Sequence, residues 1–364
     1  MIRKKTVVAK SPDILFQLLQ SALWGKPFDV DNDCCIEDVF LLAEEQTVIG
    51  LVFEEIAKLN IKINQQKLFD YIGLLQTIRQ QNQVVNNVLV EFVRAIEKTD
   101  VDYLVVKGQT IASLYPDPYL RMSGDIDYLI NSDYGFAKAK IEAAQEVELP
   151  SKLLEREIAY NWREVVFELH TSLIDFSCKR HQQYWDKLVI DSWQERTAID
   201  IKGVSVYTLS PTLNAVYIFL HLFTHFSKVG ISLRQFCDWA VFLRHYENEI
   251  DKDKVRRILQ ELGLKNAYAA FGAVLVDKLG LPESSFPMKI DDSHRRWTSK
   301  ILDDISRGGN FGRLNHKTKH PWLFKLESVG FALRNTVRYF RLAPSEMGMM
   351  IPRMIALNIK LMLG

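Results

Sequence analysis

The feature that most constrains the fold is a change of hydrophobic period, once near residue 100 and again near residue 210. Up to residue 98 apolar side chains recur at spacings of three and four, as in Leu15, Leu18, Leu19 and Leu23, which is the stripe of an amphipathic helix. Ser11-Pro12-Asp13 predicts a helix start, with a capping side chain followed by proline at the first helical position. A second helix is predicted over 39–59. One long helix, or two joined ones, is predicted over 65–98, with an outer face rich in glutamine and asparagine.

From Tyr103 the pattern shortens. Tyr103-Leu104-Val105-Val106 is a continuous apolar run that ends at Lys107-Gly108, a helical pattern resumes over 109–115, and Pro116-Asp117-Pro118 stops it. Residues 125–130 and 164–170 read as two further strands, with a helix over 134–146 between them. After Ser210-Pro211-Thr212 the helical spacing returns, with segments at 235–246, 254–262 and 267–279. The expected class is therefore α+β: an N-terminal helical region (1–98), a β-α-β-α-β core (99–209) and a C-terminal helical domain (210–364).

With 48% hydrophobic and 25% charged residues, the 364-residue chain can build a sizeable core, so disorder is not the default. No run approaches the roughly 18 uncharged apolar residues that a membrane span needs. The basic start Met1-Ile2-Arg3-Lys4-Lys5 is not followed by the apolar stretch of a signal peptide, and a cytoplasmic location is expected. Cys34, Cys35, Cys178 and Cys237 have no C-x-x-C spacing, which suits neither a disulfide framework nor zinc; reduced thiols are expected.

Charge is unevenly placed, since the segment from Ser293 carries 13 Lys/Arg against 4 Asp/Glu in a chain of net charge +1. Residues 321–364 combine Trp322, Phe324, Phe331, Tyr339 and Phe340 with Arg334, Arg338 and Arg341. An anionic partner, either a membrane surface or nucleic acid, is one reading. A helix packed on its domain with solvated arginines is the favoured one.

The chemistry concentrates at Ser123-Gly124-Asp125-Ile126-Asp127. Residues two apart on a strand share a face, so Asp125 and Asp127 are expected to project together, and two adjacent carboxylates repel unless a cation lies between them. Hard cations with oxygen ligands meet that need, and Mg²⁺ (or Mn²⁺) bridging triphosphate oxygens is the common case. A lone D-x-D at a solvated strand start would be the plainer reading. Its context argues otherwise: Gly108 opens a helix whose first N–H groups suit phosphate, and Glu168 on the third strand can face the two aspartates. Three carboxylates and a phosphate cradle match a two-metal arrangement for in-line attack on phosphorus.

Lys107-Gly108, Tyr115-Pro116, Arg121, Gly124-Asp125-Ile126-Asp127-Tyr128-Leu129-Ile130 and Phe167-Glu168-Leu169-His170 resemble the signature of an uncharacterised bacterial nucleotidyltransferase family of the DNA polymerase β-like superfamily. His221, His225 and Leu233-Arg234-Gln235-Phe236-Cys237-Asp238-Trp239 are similar to its helical half. The resemblance implies a polymerase β-like core with a small mixed sheet, metal-binding catalytic carboxylates at Asp125, Asp127 and Glu168, and a nucleoside triphosphate, ATP foremost, as substrate. From their position beside the carboxylates, nucleotide contacts are expected at Lys107, Gly108, Gln109, Arg121, Ser123 and Gly124. Two positions depart from the pattern: Gln109 stands where Ser or Gly usually follows the glycine turn, and the third acid is Glu rather than Asp.

Lys107 and Arg121 are expected either to neutralise phosphate or to hold Asp125 or Glu168 by a salt bridge. His170 shares a strand face with Glu168 and would orient substrate, exchange a proton or simply pack. His221 and His225, four apart on a helix, share a face, but Leu222 stands where a zinc-protease pattern needs Glu, so lining a substrate cleft or packing against Trp239 is the expected role. Arg234 and Asp238 have the spacing of a helix-surface ion pair and border the same expected cleft. The expected activity is transfer of a nucleoside monophosphate from a triphosphate to a hydroxyl-type acceptor, small molecule or protein, with release of pyrophosphate. The competing reading is a non-catalytic nucleotide sensor or complex subunit of the same fold.

Overall fold

The computed structural model describes residues 2–28, 36–58, 64–151, 156–308 and 321–363, and it is α+β. Cys34 and Cys35 lie outside the described residues. The chain divides into two compact units, residues 1–173 with 192–210, and residues 174–191 with 211–364.

The first unit begins with α1 (Ile2–Trp24), α2 (Ile36–Glu45) and α3 (Ile49–Ala57). Helix α1 does not start at Ser11 as its capping pattern suggests; Pro12 lies inside it. Proline deletes one N–H from the ladder, while Leu15, Leu18, Leu19 and Leu23 stay buried along one stripe and keep the helix in place. The helix expected over 39–59 is broken into α2 and α3 because Thr47 adopts φ 53°, and the Val48 N–H closes α2 by bonding the Ala43 carbonyl at 2.9 Å. Gly50 at the start of α3 touches the next layer: a β-carbon there would lie 2.3 Å from the Leu120 carbonyl oxygen. Only glycine allows that approach.

A single helix α4 (Gln65–Ile96) follows, then β1 (Tyr103–Val106), α5 (Gly108–Ala112), β2 (Ile126–Ile130), α6 (Tyr134–Gln145), β3 (Glu157–Trp162) and β4 (Val165–His170). The four strands form one mixed sheet in the order β1-β2-β4-β3, with β2 parallel to β4 and the outer pairs antiparallel. Strand β3 was not expected from sequence. Its connection to β4 turns through Arg163 at φ 53° and Glu164 at φ 66°, two left-handed residues without the Asn-Gly or Asp-Gly signal of such turns. A separate hairpin, β5 (Thr197–Ile201) and β6 (Val204–Thr208), turns at Lys202-Gly203.

Alternation along the sheet decides what each residue does. Val105, Ile126, Tyr128, Tyr160, Phe167 and Leu169 face a core completed by Val85, Leu89, Phe92, Val93 and Ile96 of α4 and Ala137 and Ile141 of α6. Burying each large side chain there contributes about 2–3 kcal/mol, which makes this face the main source of stability in the layer. The residues between them, Asp127, Glu168 and His170, are left for the other face.

The polar face of α4 is not all solvated. Asn82 is fully buried and donates to the carbonyls of Tyr119 (3.1 Å) and Arg121 (2.8 Å). Asn86, one turn on, accepts from the Gln109 amide at 2.5 Å, and Asn82 accepts from the same amide at 3.4 Å. One helix therefore holds both loops that lead into the strand edges at Lys107 and Asp125.

The second unit is helical: α7 (Lys179–Asp191), α8 (Pro211–Lys228), α9 (Leu233–His245), α10 (Lys252–Glu261), α11 (Lys265–Asp277), α12 (Asp292–Arg295), α13 (Thr298–Gly308), α14 (Pro321–Tyr339) and α15 (Pro344–Leu363). Phe219, Phe223, Trp239, Tyr268 and Phe271 form its aromatic centre. Glu346 accepts from the Ser177 and Cys178 N–H groups before α7 and pairs with His181 at 3.3 Å, fastening α15 to α7. Several expected solvated arginines are engaged: Arg334 (2.6 Å) and Arg338 (2.9 Å) meet the buried Asp304, and Arg353 pairs with Asp175. Among the described residues no helix is long and apolar enough to cross a membrane.

Asn82→Leu keeps the volume but strands two loop carbonyls, and it is expected to lower the unfolding free energy by about 2–3 kcal/mol in urea titration. An unchanged midpoint and slope would show that the amide does not hold the loop.

Candidate functional site

Asp127 occupies the centre of the sheet, opposite Val106 of β1 and Glu168 of β4 in register. Its side chain is 1% exposed, an expensive place for a carboxylate unless positive or hydrogen-bonding groups meet it. Two nitrogens do. Lys107 Nζ lies 2.8 Å from Asp127 Oδ1 and His170 Nε2 lies 3.0 Å from the same oxygen. Burial on its own would raise the Asp127 pKa, but the Lys107 ammonium and then the His170 ring outweigh it and hold the carboxyl well below the usual carboxylate range.

Glu168 has the opposite electrostatics. Burial first, then the neighbouring Asp127 and Asp125 carboxylates, push it up to about 8. Its Oε2 is 3.8 Å from His170 Nε2. One oxygen each from Asp127 and Glu168 and one ring nitrogen of His170 all lie within 4.8 Å of one another, the spacing of a set of ligands around one cation. On its other side His170 turns Nδ1 toward Glu157 Oε2 at 3.4 Å. Glu157 was missed in the sequence, although the larger apolar side chains at Ile158, Tyr160 and Trp162 recur at the two-residue spacing of a strand.

The expected residues are not all equivalent in space. Asp125 precedes β2 rather than lying in it and is half-buried; it is near enough to raise Glu168 but does not belong to the tight group of three. Ser123 and Gly124 form the loop before it, Gly124 exposed. The backbone beside Gly108 runs close to Asp125, so that a β-carbon at Gly108 would meet the Asp125 carbonyl oxygen at 3.4 Å. Lys107, immediately before, adopts φ 56° and ψ −148°, a conformation that glycine takes up readily and side chains resist. Arg121 is buried; its guanidinium donates to the Met122 carbonyl at 3.3 Å and its own carbonyl is held by Asn82. The Gln109 side chain points away from the turn into α4, so any ligand contact at 109 falls to its backbone.

In the helical unit His221 and His225 share one face of α8 with ring centroids 4.3 Å apart. Asp238 of α9 is buried rather than on the helix surface that its spacing with Arg234 suggested. Cys178 and Cys237 are free thiols, Cys237 buried.

The donor set suits a hard divalent cation: two carboxylates on adjacent strands, one kept ionised, with a third beside them at Asp125. The family model described as Uncharacterised nucleotidyltransferase matches residues 35–279. No curated protein matches the chain. The crystal structure of an antigenic nucleotidyltransferase-like protein from Paracoccidioides brasiliensis is similar over 58% of this chain and 95% of that chain, at 14% identity and a TM-score of 0.34.

A raised Glu168 makes the metal-free protein sensitive to alkali. Its folded form binds the proton more tightly than the unfolded chain, so its contribution is fully present below the unfolded value near ~4.3 and is lost as pH rises through about 8. Glu168→Gln is therefore expected to melt higher than the wild type at pH 8.5 in chelator, the gap closing towards pH 5. A gap that does not change with pH would contradict the assignment.

Proposed function

We propose, from the premise that the chain belongs to the uncharacterised nucleotidyltransferase family, that it moves a nucleoside monophosphate from a triphosphate to a hydroxyl-type acceptor and releases pyrophosphate. The observation that carries the reading is the lateral pairing of Asp127 with Glu168 on parallel strands, with His170 closing the group within 4.8 Å. Asp125, Asp127 and Glu168 would hold Mg²⁺ or Mn²⁺, with His170 a further donor in reach. A divalent ion bound there would offset the charge that develops on the transferring phosphoryl group.

The protein's own groups then have separate tasks. The Gly108 turn and the loop Ser123-Gly124 let backbone come close to the polyphosphate, and Lys107 and Arg121 supply positive charge beside it. The value of about 8 for Glu168 belongs to the metal-free protein; beside a divalent ion Glu168 would lose that proton and be left a carboxylate able to take the acceptor proton. The acceptor oxygen forms a bond to the α-phosphorus as the bond to the pyrophosphate oxygen breaks, and the acceptor proton passes to a Glu168 carboxylate oxygen. His170, fixed between Asp127 and Glu157, keeps the two carboxylates in register. ATP is the first nucleotide to test.

Asp125→Ala and Asp127→Asn are each expected to abolish Mg²⁺-dependent nucleotide binding in calorimetry and to reduce pyrophosphate release by ~10²–10³-fold or more, with the circular-dichroism spectrum unchanged. Undiminished binding and turnover in both would overturn the proposal. Nucleotide binding by the wild type without any pyrophosphate release would favour a sensor of the same fold.

A further inference from the structure

We propose that Lys107 is a displaceable counter-ion: it occupies the cation position at Asp127 in the metal-free protein and leaves it for the triphosphate when a divalent ion binds. This rests on reading Asp127 as a metal ligand. Metal and nucleotide binding are then coupled through one side chain.

Asp127 Oδ1 already carries two nitrogens, Lys107 Nζ at 2.8 Å and His170 Nε2 at 3.0 Å, in a setting almost closed to water. A divalent ion at the same carboxylate brings a second positive centre into a space where screening is weak, so one of the two nitrogen partners has to retreat. His170 is the less free to do so. Its ring is 6% exposed, its backbone lies in β4, and its other nitrogen faces Glu157. Lys107 sits at the mouth of the turn with 17% of its side chain exposed, on a flexible stem that can swing a point charge without moving the sheet.

The backbone at Lys107 supports the assignment. At φ 56° and ψ −148° glycine would sit with less strain, and glycine is the next residue, Gly108 at φ 49°. A side chain retained in such a conformation starts from a fixed position beside Asp127 and beside the Gly108 approach to Asp125, where phosphate is expected. Without nucleotide, a metal ion must break the 2.8 Å Lys107–Asp127 pair. With a triphosphate present the ammonium acquires a new anion. Each ligand therefore raises the affinity for the other beyond what direct coordination provides.

The test uses Mn²⁺ as the probe, with free ion measured by electron paramagnetic resonance in the wild type and in Lys107→Met, Lys107→Arg and Asp127→Asn. In the absence of nucleotide, Lys107→Met is expected to bind Mn²⁺ roughly tenfold more tightly than the wild type, within the usual range of coupling between sites. Lys107→Arg should stay near the wild type. Acetylation footprinting of the unmodified protein gives a second readout that needs no variant to fold. Labelling of Lys107 should rise with saturating Mn²⁺ and fall when a non-hydrolysable triphosphate is added. Equal Mn²⁺ affinity in wild type and Lys107→Met, or Lys107 labelling unchanged by Mn²⁺, would overturn the counter-ion role while leaving the nucleotidyltransferase reading intact. Mn²⁺ binding that survives Asp127→Asn would remove the metal site itself, and both proposals with it.

Discussion

The structure of the first unit depends on one constraint, an ionised carboxylate in the middle of a sheet. Removing a charge of that size from water costs several kcal/mol even after relaxation. A unit charge about 4 Å away returns about 4 kcal/mol at an effective dielectric of 20, so one charged partner roughly balances the loss and a further hydrogen bond tips it towards the charged form. Asp127 has both, the Lys107 ammonium and a His170 ring nitrogen on the same oxygen. Because they arrive from different strands, the carboxylate ties the end of β1 to β4 across β2. Glu168 beside it, raised by burial first and then by the Asp127 and Asp125 carboxylates, holds its proton more tightly. The sheet thus holds two carboxyl groups in register and, without metal, drives their acidities apart.

Holding these groups in place falls to α4. Its apolar side buries Phe92, Leu89 and Val93 against Tyr128 and Phe167 of the sheet. Its amides Asn82 and Asn86 grip the loops on either side of the site. The apolar contacts contribute most of the free energy, but they are non-directional and would tolerate a shift of the loops. The amide hydrogen bonds are individually worth about 1 kcal/mol, yet they fix where Arg121 and Gly108 begin. The same division recurs in the helical unit, where an aromatic centre supplies the burial and Glu346 and Asp304 fix the late helices to earlier ones.

How much of this was legible in the sequence follows from the same physics. The strands at 103–106, 126–130 and 165–170 were visible because each is a dense apolar run between turn signals, and the helices after Pro211 because their spacing is regular. Asp127 and Glu168 could be paired in advance, since alternation on neighbouring strands leaves few options. The break at Thr47 and the turn at Arg163-Glu164 could not, because both use left-handed residues with side chains that ordinarily avoid that region. Asn82 and Asn86 were read as a solvated face because composition does not reveal that a loop carbonyl waits opposite a polar side chain. Lys107 was expected near the site, but its 2.8 Å pairing with Asp127 starts from a left-handed backbone angle that no pattern encodes.

The Arg163-Glu164 turn shows how local geometry reaches the chemistry. A two-residue connection pairs Trp162 with Val165, and antiparallel counting then fixes every later partner until Glu157 stands opposite His170. A slip of one residue would put β3's outward set, Glu157, Ala159 and Asn161, on the core face and turn Ile158, Tyr160 and Trp162 outward. The core resists that slip, since Tyr160 stacks on Phe167 with centroids 5.5 Å apart and its hydroxyl meets the Tyr128 hydroxyl at 2.9 Å. His170 therefore receives its second carboxylate because of what Tyr160 buries on the opposite face. The acid, the imidazole and the buried aspartate form a line across three strands, Glu157, His170 and Asp127, whose order is set by hydrophobic packing.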